Sequence, residues 1–360
     1  MTFRTILRPT GFVDSPFGHD GKVARLAGGL NWFASVELIR VGDDDRVTTE
    51  LVPVEAVESR FDDAMAAQWT ALTSPRVPLH LGQRTIRLDQ PQVMAIINAT
   101  PDSFSDGGRF GSAEEAVQAG FTAAEQGAAI LDVGGESTRP GAKPVWEGDE
   151  IERVVPVVRQ LAASGAAVSV DTRKGAVMEQ ALAAGARLIN DVSALSWDDR
   201  ATGIVANAGV PVVLMHHLGK PETMQENPSY PRGALVEVWF WLEDRVQWAV
   251  DRGIPRENII VDPGIGFGKS VAHNLELMNG LAAFHALGCS ILLGASRKRT
   301  IGALHNEAPA DRRLGGSLAL ALKAAEQGAQ IVRVHDVFET VQALKVWRGL
   351  RDQALTPRLP

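Results

Sequence analysis

Polar residues interrupt otherwise apolar stretches of this chain at Asn98, Asp132, Asp171, Asn190, Asp262, Lys298, Arg333 and His335. Most stand where a short hydrophobic run ends and a polar loop begins. Taken singly, each is adequately explained as a cap or a satisfied buried polar group. Taken together they are harder to dismiss, because carboxylates gathered in one mouth are costly unless a cation or a ligand rich in N–H donors fills it. A heterocycle with an amidine-like or guanidine-like edge would satisfy Asp171, Asn190 and Asp262 as acceptors.

A second group is suited to anions. Ser296–Arg299 reads SRKR, and Arg333 lies two residues before His335. Arginine supplies a bidentate oxyanion clamp and lysine a movable point charge. A basic run is more often a solvated turn, and a lone histidine more often a core residue. Here both basic groups fall after the last two strand-like runs, where an α/β barrel usually binds phosphate.

Two motifs invite other readings. Asp262–Lys269, DPGIGFGK, is rich in glycine but lacks the GK[ST] ending of a P-loop. Its glycines suit a sharp turn, which would leave Phe267 on a rim loop, positioned to stack on a ligand. The pair His216–His217 suggests zinc, but adjacent strand residues point to opposite faces, so a zinc site is rejected.

Elements that place these residues are legible from periodicity. Val93–Gly108, VMAIINATPDSFSDGG, is an apolar run opening into a loop rich in Pro, Gly, Asp and Ser. Strand-like runs are Val93–Asn98, Ala129–Val133, Ala167–Asp171, Leu188–Asp191, Val212–His216, Ile259–Asp262, Ile291–Gly294 and Ile331–His335. Helical stretches follow each, at Ala113–Gln126, Asp149–Ala163, Gly175–Ala184, Asp198–Asn207, Arg232–Arg252, Ala272–Leu287, Arg312–Gln327 and Val337–Leu350. The alternation predicts an α/β fold, a (β/α)8 TIM barrel over residues 91–352, with a short tail at 353–360.

An internal repeat agrees. AAEQGAAILDV ends at Val133, AAEQGAQIVRV at Val334, and AAGARLINDV at Val192 follows the same plan. Each is a helix end, a glycine suited to the C-cap, then a strand. The polar residue five after each glycine is Asp132, Arg333 or Asn190. They come from alternate strands, which in this fold contribute one inward layer, and Asp262 is the expected fourth member.

Residues 1–90 lack this rhythm and are expected to form a small, β-containing extension. Asn31–Arg40 and Arg46–Val54 read as a hairpin about a turn at Gly42–Asp45, and Glu55–Leu72 as one helix. With 45% hydrophobic and 22% charged residues, the composition is that of a soluble globular protein. The net charge of −7 argues against a nucleic-acid partner. No apolar run is long enough for a membrane span, and the single cysteine, Cys289, fits a reducing cytoplasm and reads as a small buried residue.

The landmarks INATPDSFSDGG, LDVGGESTRPGA, SVDTRK, LINDVSAL, VLMHHLGKPETMQ, VDPGIGFGKS, GASRKRTIG and VRVHD resemble, in order, those of dihydropteroate synthases. The resemblance runs from about Val93 to the end of the predicted barrel. It implies condensation of 6-hydroxymethyl-7,8-dihydropterin diphosphate with p-aminobenzoate, giving 7,8-dihydropteroate and pyrophosphate in folate biosynthesis. Asp171, Asn190 and Asp262 would hold the pterin edge, with Met215 against its ring and Lys298 at its polar rim. Asn98, Arg333 and His335 would take the diphosphate, with Asn98 also a ligand of Mg²⁺. Asn98, Asp171, Lys298, Arg333 and His335 would form the catalytic set. Thr138, Pro140, Phe267, Ser296 and Arg297 would line the p-aminobenzoate pocket that sulfonamides share, beneath the loops Thr100–Gly108 and Ser137–Lys143.

The resemblance also implies a homodimer. The chain departs from the family pattern at Ala95, Ala99, His217-Leu218 and Arg299, none of which carries an assigned role. A methyltransferase on a related pterin-binding barrel would not need the diphosphate residues. A non-catalytic homologue would show losses among them, and an unrelated sugar-phosphate barrel leaves the acidic layer unexplained.

Overall fold

The computed structural model describes residues 3–100, 109–137, 144–219 and 224–356, with the backbone alone over 109–112. The extension begins with β1 (Phe3–Val13), β2 (Ala24–Arg25), β3 (Trp32–Gly42) and β4 (Val47–Pro53). The central β3 pairs antiparallel with β1 along its length, and with β2 and β4 on its other side. The expected hairpin is therefore β3–β4, while β1 escaped the sequence reading. Pro9 and Gly11 obscure its alternation, and proline is tolerated there because β1 is an edge strand. Its outer edge is closed by one side chain: Leu7 N–H donates to Gln68 Oε1 at 2.9 Å and Gln68 Nε2 to Thr5 O at 2.7 Å.

The single helix expected over 55–72 is broken. α1 (Val54–Val57) runs into a 3-10 turn, and α2 (Asp63–Thr73) restarts because the Asp62 carboxylate caps the Met65 N–H at 2.8 Å. A small hairpin, β5 (Leu79–Leu81) and β6 (Arg84–Ile86), precedes the barrel. Leu79, Leu81, Ile86 and Leu88 pack against the lowest inward side chains of all eight barrel strands, Met94, Ile130, Ala167, Leu188, Val213, Ile260, Leu292 and Ile331. The hairpin plugs the barrel floor.

The barrel closes through eight parallel strands: β7 (Gln92–Asn98), β8 (Ile130–Gly134), β9 (Val168–Asp171), β10 (Leu188–Asp191), β11 (Val212–Met215), β12 (Ile259–Asp262), β13 (Ser290–Leu293) and β14 (Ile331–Val334). Its helices are α3 (Arg109–Glu125), α4 (Glu147–Ala163), α5 (Gly175–Ala184), α6 (Ala201–Ala208), α7 (Ala234–Val250), α8 (Val271–Gly280), α9 (Arg299–Leu304), α10 (Leu314–Glu326) and α11 (Val337–Ala354). The repeat glycines Gly127, Gly185 and Gly328 all take left-handed φ angles, of 104°, 118° and 82°, as helix-ending residues should. The helix expected over 272–287 stops at Gly280 and tightens into 3-10 turns over Leu281–Leu287, whose side chains are all buried. β1 and α2 of the extension pack on that segment, and Ile6, Leu7, Phe33 and Leu72 share one core with Leu281, Phe284 and Leu287. α9 was not anticipated, and α11 continues past residue 352 into the expected tail.

Candidate active site

Strand alternation turns Asp132 (β8), Asn190 (β10), Asp262 (β12) and Arg333 (β14) into the barrel one layer above its apolar floor. Asp132, fully buried, is the hub. Its Oδ2 accepts from Arg333 Nε at 2.6 Å and from Asn190 Nδ2 at 2.9 Å. Arg333 spans to the next carboxylate, donating from NH2 to Asp171 Oδ2 at 2.7 Å. The common layer that the repeat predicts is present, with Asn190 and Arg333 both bonded to Asp132. Gly294, on the loop after β13, lets the other wall close in: a Cβ there would lie 3.8 Å from Asp262 Oδ2, 3.9 Å from Arg333 Cβ and 4.0 Å from Lys298 Nζ.

The layer has open valences. Asp132 Oδ1, Asp171 Oδ1 and Ser169 Oγ are buried without a hydrogen-bond partner among the described residues. Such groups cost free energy until something supplies the missing bond. Burial raises the pKa of Asp171 against the pull of Arg333, and raises that of Asp262 against Lys298 and the Gly264 N–H. It lowers Lys298 to about 8, with Asp262 opposing the shift. Burial also works against the Arg333 charge, but Asp132 and Asp171 more than offset it, so its pKa is raised.

Around this layer stand the other residues singled out from the sequence. Met215, at the end of β11, is buried beside Asp262 in the strand register. Lys298 Nζ donates to Ile265 O and lies 4.6 Å from the centre of the Phe267 ring. Phe267 is half-buried rather than a free rim aromatic. Ser296 Oγ accepts from His335 N–H at 3.2 Å and lies 3.1 Å from His335 Nδ1. Asn98 ends β7, opposite Gly134. Thr138, Pro140 and most of the two loops expected to cover the site lie outside the described residues.

Two expectations change in detail. The Arg333 guanidinium is engaged with Asp132 and Asp171 rather than standing free as an anion clamp. That of Arg297 is clamped on Asp336 through Nε and NH2, so its charge is already paired. Asp336 meets Arg297 through the planar two-pronged fork, whereas Arg333 gives one N–H to each of its two carboxylates. His216 is buried and His217 half-buried, and among the described residues no group of three His, Cys, Asp or Glu side chains could hold a metal. Cys289 is buried, its thiol pushed up to about 11 by burial.

A family model described as pterin binding enzyme matches residues 94–335. The dihydropteroate synthase of Escherichia coli (strain K12) is 46% identical over 263 residues, covering 73% of this chain and 92% of that protein. The chain belongs to the dihydropteroate synthase family of pterin-binding enzymes. A Mycobacterium leprae dihydropteroate synthase is 46% identical over 261 residues, covering 71% of this chain and 92% of its own. The structure of Xanthomonas albilineans dihydropteroate synthase with 4-aminobenzoic acid superposes with a TM-score of 0.72 at 46% identity, over 78% of this chain and 99% of that chain. The extension thus precedes the region matched by the family model, and the site layer falls within it. Family members are transferases, which sets aside the sugar-phosphate alternative.

The residue that sequence reasoning undervalued is Asp132. The repeat flagged its position but assigned it no role, because only the folded barrel shows that two neighbours converge on one of its oxygens. Ser169 gave no signal at all, since a serine inside a strand is unremarkable by sequence.

Proposed function

We propose that the chain joins 6-hydroxymethyl-7,8-dihydropterin diphosphate to p-aminobenzoate, releasing pyrophosphate. The observation that carries this reading is the pair of buried, unpartnered carboxylate oxygens, Asp132 Oδ1 and Asp171 Oδ1, in a layer that also holds Asn190 and Asp262. A pterin's amide and amino N–H groups are the kind of donors such acceptors lack. In this reading Asp171, Asn190 and Asp262 take the pterin edge, Met215 its ring face and Lys298 its polar rim. Asn98, Arg333 and His335 take the diphosphate, for which Arg333 exchanges part of its bonding to Asp132 and Asp171. Thr138, Pro140, Phe267, Ser296 and Arg297 form the arylamine pocket.

The chemistry is a displacement at the pterin methylene. The arylamine nitrogen lone pair forms the new C–N bond, and the C–O electrons leave on pyrophosphate. The nitrogen then gives up one proton. Arg333 and His335 stabilise the leaving charge, and the carboxylate layer tolerates the electron-poor pterin. An arylamine is already a nucleophile at neutral pH, so orientation matters more than deprotonation, and no covalent enzyme intermediate is required.

The donor set suits Mg²⁺ only as an ion carried by the diphosphate. Asn98 offers one neutral oxygen at the barrel mouth, and Mg²⁺ ordinarily keeps phosphate and water oxygens beside one or two protein ligands. When bound, the ion would neutralise charge gathering on pyrophosphate. A homodimer and a cytoplasmic location complete the reading. Phe338, Val346 and Leu350, exposed on α11, support self-association. Among the described residues no helix is long and apolar enough to cross a membrane.

The test is product formation by the purified protein from the pterin diphosphate, p-aminobenzoate and Mg²⁺, with each omitted in turn. Dihydropteroate that depends on all three is expected. Calorimetric pterin binding with no product under any condition would instead favour the non-catalytic homologue.

A further inference from the structure

The loop after β12 is fixed to an unusual degree. Four consecutive carbonyls each accept from a different side chain: Ile265 O from Lys298 Nζ, Gly266 O from Gln225 Nε2, Phe267 O from Lys269 Nζ at 3.0 Å and Gly268 O from the Tyr230 hydroxyl at 2.9 Å. Gly264 makes the fold of this loop possible. Its φ is +69°, and a Cβ there would lie 1.9 Å from His216 O.

Lys269 is the least expected of the four donors, since it is only 3% exposed and, among the described residues, no carboxylate is bonded to its Nζ. Besides Phe267 O, its Nζ contacts His216 Nδ1 at 2.8 Å and His216 O at 3.3 Å. Burial holds the Lys269 pKa well below its usual value, with Asp262 opposing the shift. As an ammonium its three N–H groups match the three acceptors when His216 carries its proton on Nε2. His216 is itself immobilised, edge-on to Trp241 at 4.9 Å between ring centres and tilted against Tyr230 at 6.1 Å. A side chain this buried and this fully bonded is held away from solvent. What it does is tie the end of β11 to the backbone of Phe267.

We propose that Lys269, seated on His216, is a positioning residue that fixes the Phe267 ring against Lys298 and so sets the width of the arylamine slot. This deepens the proposed function and rests on its assignment of Phe267 to the arylamine side. Met215 and Asp262 end the two strands that the clamp joins, but the strand register holds them beside each other and Asn190 is held on Asp132, so loss of the clamp falls mainly on the arylamine. Displacing a positioned group by an ångström can cost as much as about 100-fold in rate.

The experiment is steady-state kinetics on full-length Lys269→Met, which keeps the side-chain length and removes the donors. KM for p-aminobenzoate should rise about tenfold or more, with kcat within about threefold and calorimetric pterin affinity unchanged. Lys269→Gln, which retains two N–H donors, should recover part of the loss. Equal loss of pterin affinity and arylamine KM, or no change in either, overturns the proposal. If Lys269→Met does not fold, Tyr230→Phe removes the neighbouring carbonyl donor and should shift the same KM in the same direction. Hydrogen exchange at the Gly266 and Gly268 amides needs no substrate. It should accelerate in Lys269→Met, and unchanged exchange rejects the clamp. Wild-type protein that makes no product defeats the functional reading, while exchange still decides the clamp.

Discussion

Asp132→Asn alters one atom of the barrel layer and removes one charge. In the native arrangement Oδ2 receives both Arg333 Nε and Asn190 Nδ2, and Oδ1 stays open. Asparagine has a single carbonyl oxygen, so it can keep both bonds only by turning its NH2 to the former Oδ1 position. The acceptor that the proposed function offers to the pterin becomes a donor. Hydrogen bonds involving a charged group contribute about 1.5–3 kcal/mol, and the opposed donors add to the loss. About 3 kcal/mol corresponds to roughly a hundredfold fall in kcat/KM. Stability should change much less, because Arg333 keeps Asp171 and the volume is conserved. The assay is dihydropteroate formation at subsaturating pterin diphosphate, with thermal unfolding and calorimetric pterin binding in parallel. A variant that melts like wild type and retains kcat/KM within threefold would refute the view that Asp132 Oδ1 is an acceptor for substrate.

The remaining expectations concern charge, acidity and architecture. Arg333→Ala strands two buried carboxylates, so about 3–5 kcal/mol of stability should be lost along with turnover. Unchanged turnover at saturating substrate would remove Arg333 from the diphosphate site. The pH profile of kcat/KM, which reports groups of the free enzyme, should be bell-shaped. On the acid side Asp171 and Asp262 have raised pKa values, so acceptors are lost before ordinary carboxylates would titrate. On the alkaline side activity should fall through about 8 as Lys298 loses its proton, and a limb that stays flat to pH 10 argues against that role. Gly264→Ala should cripple the enzyme or its folding, because the new methyl meets the His216 carbonyl. A chain beginning at Val77 should be insoluble, since it bares Leu281, Phe284 and Leu287, whose cover is the extension. A soluble, active truncation would show the extension to be an accessory.

The sequence by itself determined the barrel and most members of the polar layer inside it. Buried parallel strands are continuous apolar runs, and several polar residues ending such runs at matching register stand out, so Asp132, Asn190, Asp262 and Arg333 could be found by inspection. The repeat added their register, because helix end, glycine and strand are separated by fixed geometry. The family landmarks then supplied the chemistry.

Tertiary structure alone decided the rest. β1 was hidden because its stability comes from pairing along β3 and from the Gln68 amide, 63 residues away in sequence from Thr5. The barrel floor is closed by a hairpin too short to announce itself. Which carboxylate is the hub, which oxygens remain open, and that Lys269 is seated on His216 all depend on distances between strands distant in sequence. Periodicity reports which face a side chain takes, but a hydrogen bond depends on the last ångström, and only the closed barrel sets that.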